Sequence, residues 1–148
     1  MKDLSPRIIE LFKHGYATPQ IARIAKKLQQ PAATIHYNIK KLEKEAIKTY
    51  KAVFDYKQIG EGFCVYVLIS LSPDEYGNPE RIGKELSKYS EIESVDIITG
   101  DWEMILKIRV KDMDAYYDLV KNVISRKGVT KIKSLTSMKQ LKTEFVEL

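Results

Sequence analysis

"PAATIHYNIKKLEKEAIK", Pro31 to Lys48, decides how the first third of the chain is read. On a helical wheel of about 100° per residue, Ile35, Ile39, Leu42 and Ala46 fall on one side, spaced four, three, four. The opposite side collects Ala33, Tyr37, Lys40 and Lys44, with Lys41 beside them and Thr34 and His36 flanking near the helix start. The spacing predicts one helix with an apolar stripe and a basic face that carries an aromatic ring. A charged helix face is often only a solvated one, so the neighbouring segments must say what this face meets.

Upstream, "SPRIIELFKHG" (5–15) offers Ser5 as cap, Pro6 at the first helical position and Gly15 past the end. "TPQIARIAKKL" (18–28) repeats that start with Thr18 and Pro19, and Ile21, Ile24, Ala25 and Leu28 give it one apolar face. "QQP" (29–31) then turns into the opening segment. Two helices joined by a tight turn, the second one basic, form the plan of a helix-turn-helix. Ala25 supplies the small residue for close packing, and Gln29 stands where such motifs commonly carry Gly, which takes a left-handed turn at less cost. A plain three-helix packing unit is the other reading this spacing allows. "IKTYKAVFD" (47–55) alternates, adds Lys48 and Lys51, and reads as a strand, the wing of the unit. Gly60 and Gly62 break the pattern, which places a DNA-binding domain with its linker at 1–58 and a second domain at 59–148.

The second region reads strand, helix, strand, strand, helix, strand. The strands are "GFCVYVLISL" (62–71), "ESVDIIT" (93–99), "EMILKIRV" (103–110) and "VTKIKSLTSMKQL" (129–141). The helices are "NPERIGKELSKY" (78–89) and "DMDAYYDLVKNVIS" (112–125), the latter with Met113, Tyr116, Tyr117, Val120 and Ile124 as its apolar face. This β-α-β-β-α-β order is the split, ferredoxin-like plan, so the fold class is α+β. In the first strand Phe63, Val65, Val67, Ile69 and Leu71 point one way, and Cys64, Tyr66 and Leu68 point the other. Both sets are apolar, so the sheet face away from the helices also needs a cover. A second copy is the simplest one, and the N-terminal domain is the alternative.

Bulk composition fits a folded soluble protein and offers little to catalysis. The 148 residues are 44% hydrophobic and 30% charged, with net charge +5, a balance that favours anionic partners. A lone cysteine, Cys64, rules out an internal disulfide, and with only His14 and His36 besides, no zinc spacing exists. There is no Gly-rich phosphate loop and no G-x-S-x-G elbow. No cofactor, no metal and no enzyme activity are expected. The longest apolar run, 63–71, is too short to span a bilayer, and "MKDLSPRIIE" has no leader-like apolar core, so no membrane partner is expected and the cytoplasm is the default compartment.

With both halves placed, the chain resembles the Lrp/AsnC, or feast/famine, family of transcription regulators. The resemblance spans nearly the whole length and is carried by "IHYNIKKLEKEAIKTYKAVFDYKQIG" (35–60) and "TGDWEMILKIRV" (99–110). It implies a winged helix-turn-helix followed by a ferredoxin-like domain. It further implies dimers that often assemble into octamers, and amino acids bound between dimers. Trp102 and Glu103 replace the family's usual Tyr and Asp, and Ile132 and Ser134 stand where two threonines are usual.

Two sets of site residues follow. For double-stranded DNA they are Thr34, His36, Tyr37, Lys40, Lys41 and Lys44. An α-helix fits the major groove; His36 and Tyr37 are placed for bases, and the lysines for phosphates. For an amino-acid effector they are Gly100, Asp101, Trp102 and Glu103, with Ser134 and Thr136 from the facing strand. An ammonium group seeks a carboxylate, and a carboxylate seeks amide donors; a Gly-Asp hairpin tip has both. The plain alternative is that "GDW" is only a turn. The reading is a sequence-specific transcription regulator modulated by a small amino acid. The alternative is a low-specificity architectural protein that wraps DNA as a multimer.

Overall fold

A computed structural model describes residues 3–143 and 146–147. The chain divides into two compact units, residues 1–53 and 54–148.

The first unit holds α1 (Ser5–Lys13), α2 (Ile21–Leu28) and α3 (Ala32–Glu45). Ser5 is already helical. The capping expected of it falls to Asp3, whose Oδ1 accepts the Ser5 N–H at 2.9 Å, with Pro6 in the first turn. Thr18 does not cap α2 either: a tight turn, with the Ile21 N–H donated to the Pro19 carbonyl at 3.0 Å, delays the helix to Ile21. Between α2 and α3, Gln29 adopts φ 53°, ψ 43°, the one non-glycine positive φ among the described residues. The following Gln30 N–H reaches back to the Ala25 carbonyl at 3.1 Å, closing the helix end as a left-handed cap does. Ala25 and Ile35 are buried where α2 meets α3, and Ile39 is half-buried. The apolar stripe seals only the first two turns of α3, because Leu42 is 48% exposed and Ala46 lies open.

The strand expected over 47–55 is not formed; this segment has irregular backbone. Alternation makes a strand only where a partner accepts the ladder hydrogen bonds, and the described part of this unit contains helices alone. Gly15 at φ 84° lets the chain leave α1 close to Thr49, whose hydroxyl a Cβ would strike.

The second unit runs β1 (Phe63–Leu71), α4 (Pro79–Leu86), β2 (Ile92–Ile97), β3 (Met104–Val110), α5 (Met113–Leu119) and β4 (Val129–Thr136). It is an α+β unit with the expected β-α-β-β-α-β order and one antiparallel sheet ordered β2-β3-β1-β4. The last strand stops at Thr136 rather than continuing to 141, and a small hairpin of β5 (Lys142–Thr143) and β6 (Val146–Glu147) follows. The register pairs Val65 with Ile108, Val67 with Leu106 and Ile69 with Met104, six side chains at 0% exposure on one face. Ile82 and Leu86 of α4 and Tyr116 and Leu119 of α5 complete that core.

On α5 the buried side is turned from the one the spacing predicts. Tyr116, Leu119, Val123 and Ile124 are buried, whereas Met113 and Tyr117 are 55% and 63% exposed. The helix continues as a π turn over Val120–Ile124. The wider turn brings adjacent Val123 and Ile124 inward together, and no single 3.6-residue stripe describes that.

The sheet face away from the helices is covered in part by the chain itself. There Arg109, only 4% exposed, donates from Nε to Glu93 Oε1 at 2.7 Å and from Nη2 to Gln140 Oε1 at 2.9 Å. Its guanidinium lies 3.6 Å from the centroid of the Tyr56 ring. Lys107 Nζ stands 3.0 Å from Glu93 Oε2, outside hydrogen-bonding direction, and donates to Thr143 Oγ1 at 3.2 Å. A register shift between Ile92 and Ser94 gives Glu93 this position. Cys64 is buried beside the network, while Tyr66, Leu68 and Ile105 are half-buried and Leu135 is 45% exposed.

Two expectations follow. Gln29→Gly relieves the left-handed strain and raises the melting point of the first unit, by about 0.5–1 kcal/mol of stability, whereas Gln29→Val lowers it. For Glu93, burial pushes the carboxyl up, but the Arg109 hydrogen bond and Lys107 outweigh it and hold the pKa below its ordinary value. The stability it contributes is therefore full above the unfolded value of about 4.3 and is lost as pH falls through the folded one. Glu93→Gln destabilises the second unit at neutral pH by about 3 kcal/mol. Urea titrations from pH 7 to pH 3 should show parent and variant converging at the acid end.

Candidate nucleic-acid and effector sites

Helix α3 positions the first site. With Ile35 fixed in the core, Thr34, His36, Tyr37, Lys40, Lys41 and Lys44 are all exposed, within an arc of about 160°. Tyr37 is 71% exposed, a large ring left open to solvent on that face. Charge is segregated along the chain. Residues 1–53 carry eleven Lys and Arg against four Asp and Glu, while residues 54–148 carry fourteen against sixteen. The whole positive excess therefore belongs to the unit that presents α3.

Not every lysine on that face is equally available. Lys40 Nζ lies 2.8 Å from Glu43 Oε2, one turn on, and the hydrogen bond it donates to Glu43 raises the Lys40 pKa. The same bond holds Glu43 below its ordinary value. Tyr50, from the segment after the helix, donates its hydroxyl to Glu43 Oε1 at 3.4 Å. Asn38 Nδ2 is turned along the helix to the Thr34 carbonyl at 2.8 Å. A helical wheel alone passes over Glu43 and Tyr50; the Lys-x-x-Glu spacing at 40 and 43 is the signal that marks the pair.

The hairpin between β2 and β3 presents the effector candidates. Gly100 turns at φ 109°, Asp101 is exposed at the tip and Trp102 is half-buried. Glu103 is committed to the sheet. Its N–H donates to the Ile69 carbonyl at 3.1 Å, its carbonyl accepts from Ile98 at 3.0 Å, and its carboxylate accepts the Leu71 N–H at 2.8 Å. Ser134 shares a hydrogen bond of 2.5 Å with the Tyr116 hydroxyl, and Thr136 is exposed.

These candidates do not converge within one chain. Ser134 pairs with Val67 and Thr136 with Val65, whereas the hairpin is tied to Ile69 from the opposite edge of β1. β1 intervenes, so two strand spacings, roughly 10 Å, separate the halves. A basin of about 350 Å³ lined by Ser125, Arg126, Lys127 and residues 129–132 contains none of them. Among the described residues no group of three His, Cys, Asp or Glu could hold a metal ion, and no helix is long and apolar enough to cross a membrane.

Comparison with known proteins places this arrangement. Residues 64–146 match the profile of the Lrp/AsnC ligand binding domain. The HTH-type transcriptional regulator FL11 of Pyrococcus furiosus is 31% identical over 130 residues, which cover 87% of this chain and 83% of that protein. Among solved structures, an AsnC family transcriptional regulator from Agrobacterium tumefaciens superposes with TM-score 0.75 at 22% identity, covering 97% of this chain and 94% of the other. A transcriptional regulator from Neisseria meningitidis in complex with L-Met gives 0.74 at 18% identity, covering 97% and 93%. The matched ligand-binding domain and the relative spanning most of both chains lead to one assignment: this chain belongs to the Lrp/AsnC family, whose members are transcription regulators and not enzymes.

Proposed function

We propose that α2 and α3 form a helix-turn-helix whose second helix enters the major groove of double-stranded DNA. The domains would be 1–58 for DNA and 59–148, ferredoxin-like, for assembly and effector binding. The observation that carries this reading is the exposed Tyr37 and lysine face of α3 in a unit that holds all the positive excess. The segment after α3 contributes Lys48 and Lys51 as an irregular arm, not as a paired wing. His36 and Tyr37 address base edges, and Lys41 and Lys44 address phosphates, while Lys40 on the same face is paired with Glu43. The protein acts in the cytoplasm, as a homodimer or larger assembly.

The test uses operator and mixed-sequence duplexes over a salt series. Replacing Lys40, Lys41 and Lys44 together by Ala weakens binding to every sequence and flattens the salt slope, by roughly one unit for each phosphate no longer neutralised. Replacing His36 or Tyr37 changes sequence preference, by about 1–3 kcal/mol for each base edge no longer read. A triple variant that binds like the parent at every salt concentration removes α3 from the groove. A parent that covers a genome uniformly is an architectural protein instead.

The effector reading is that Gly100, Asp101 and Trp102 bind a small or mid-sized amino acid, completed by Ser134 and Thr136 of another copy. Asp101 pairs with the ammonium group and the hairpin amides meet the carboxylate. The separation of the two halves within one chain and the L-Met complex of the Neisseria meningitidis structure support it. Trp102, the only tryptophan, is a built-in reporter. Its fluorescence should respond to one class of amino acid at up to millimolar concentration. Asp101→Ala should abolish that response and leave the oligomer in sedimentation unchanged. Silence across all standard amino acids reduces "GDW" to a turn.

A further inference from the structure

The basic face of α3 contains one acidic partner, and its geometry is specific. Lys40 Nζ is 2.8 Å from Glu43 Oε2; the lysine side chain is 62% exposed and the glutamate 29%. Lys41 and Lys44 carry no ion pair among the described residues. Glu43 is held from its other side as well, by the Tyr50 hydroxyl. It is one of only four acidic residues in the first 53.

We propose that Glu43 is a specificity-determining residue, which withholds Lys40 from phosphates and so lowers the affinity of this chain for DNA of any sequence. The inference rests on the reading of α3 as the DNA-contacting helix. An exposed ion pair is weak, so Lys40 is free to exchange partners. The cost lies elsewhere. When Lys40 turns to a phosphate, Glu43 is left uncompensated beside a polyanion, with Tyr50 still holding its carboxylate near the helix. Sequence-independent binding comes almost wholly from phosphate neutralisation and counterion release, at a slope of about −0.9 per phosphate. A lysine that contributes little to that sum leaves the base contacts with a larger share of the affinity. The ratio of specific to non-specific binding then rises, and that ratio, not affinity alone, decides occupancy on a genome.

A double-mutant cycle on the full chain tests this, with a mixed-sequence duplex of about 30 base pairs, long enough to cover several helical turns. Parent, Glu43→Gln, Lys40→Ala and the double variant are titrated from low to moderate KCl. Glutamine keeps the volume of the side chain and an oxygen for Tyr50, and thermal melts of all four confirm equal folding. Glu43→Gln should bind more tightly, with a slope steeper by about 0.9. Lys40→Ala alone should leave the parental slope unchanged, and the double variant should return to it.

A Glu43→Gln slope equal to the parent's, or a steepening that persists without Lys40, overturns the proposal. Independently of the glutamine variant, a Lys40→Ala slope as flat as that of Lys44→Ala also overturns it. If the parent fails to bind the duplex, or if Lys44→Ala leaves the slope untouched, the DNA reading falls and the proposal falls with it. If Lys44→Ala flattens the slope and Glu43→Gln does nothing, only the proposal is lost.

Discussion

Strand β1 is hydrogen-bonded along both edges, to β3 and to β4, and the rest of the second unit is arranged around that constraint. Val65, Val67, Ile69 and Leu71 are at most 1% exposed, so β1 cannot slip by one residue without sending all four to the opposite face. β3 is in register only as far as Met104, opposite Ile69, two residues short of the end of β1. The Leu71 N–H is then left without a ladder partner on that edge, and a buried orphan donor is costly. The Glu103 carboxylate takes the vacant acceptor position. A side chain that reads as a ligand group is thus spent on the backbone. What remains free of the hairpin is Gly100 to Trp102, fixed at its exit to β1.

The second sheet face shows how a buried cation can organise a surface. Arg109 collects β2 through Glu93, the segment after the first unit through Tyr56, and the chain end through Gln140. Removing one partner from such a set leaves a charge in a site where water cannot fully compensate it. The apolar face predicted from Cys64, Tyr66 and Leu68 is therefore divided. The end at Cys64 is sealed by polar groups of the same chain, and the part at Leu68, Ile105 and Leu135 stays open enough to receive another surface.

Period and punctuation made the element order legible in the sequence, and both signals are local. Strand β1, the two sheet helices and the turn at Gln29 all follow from spacing within a dozen residues. What was not legible depends on distant partners. The alternating segment 47–55 lacks a second strand and stays irregular. The π turn at Val120–Ile124 rotates the buried side of α5 away from Met113 and Tyr117. Ser134 meets the Tyr116 hydroxyl, and Arg109 meets Gln140, across 18 and 31 residues. No window of sequence contains both members of such pairs. On α3 the exposed basic face was legible because one buried anchor, Ile35, fixes the rotation of the helix. Glu43 was legible only as a spacing with Lys40, and its second hold, by Tyr50, was not.

The position of the effector candidates constrains how a ligand could act. A ligand shifts an equilibrium only through its different affinity for the two states. Gly100 to Trp102 and the pair Ser134 and Thr136 lie on opposite sides of β1, and β1 is too tightly packed to let the two halves approach. No internal closure of a single chain can therefore provide two states that differ at both halves at once. Juxtaposing one chain's hairpin with another chain's β4 can. On the proposed reading the bistable element is the interface between copies, and the sheet serves as the rigid frame that holds each half-site in a fixed place. Trp102, half-buried at the hairpin, would then report on assembly and on ligand through the same change in its surroundings.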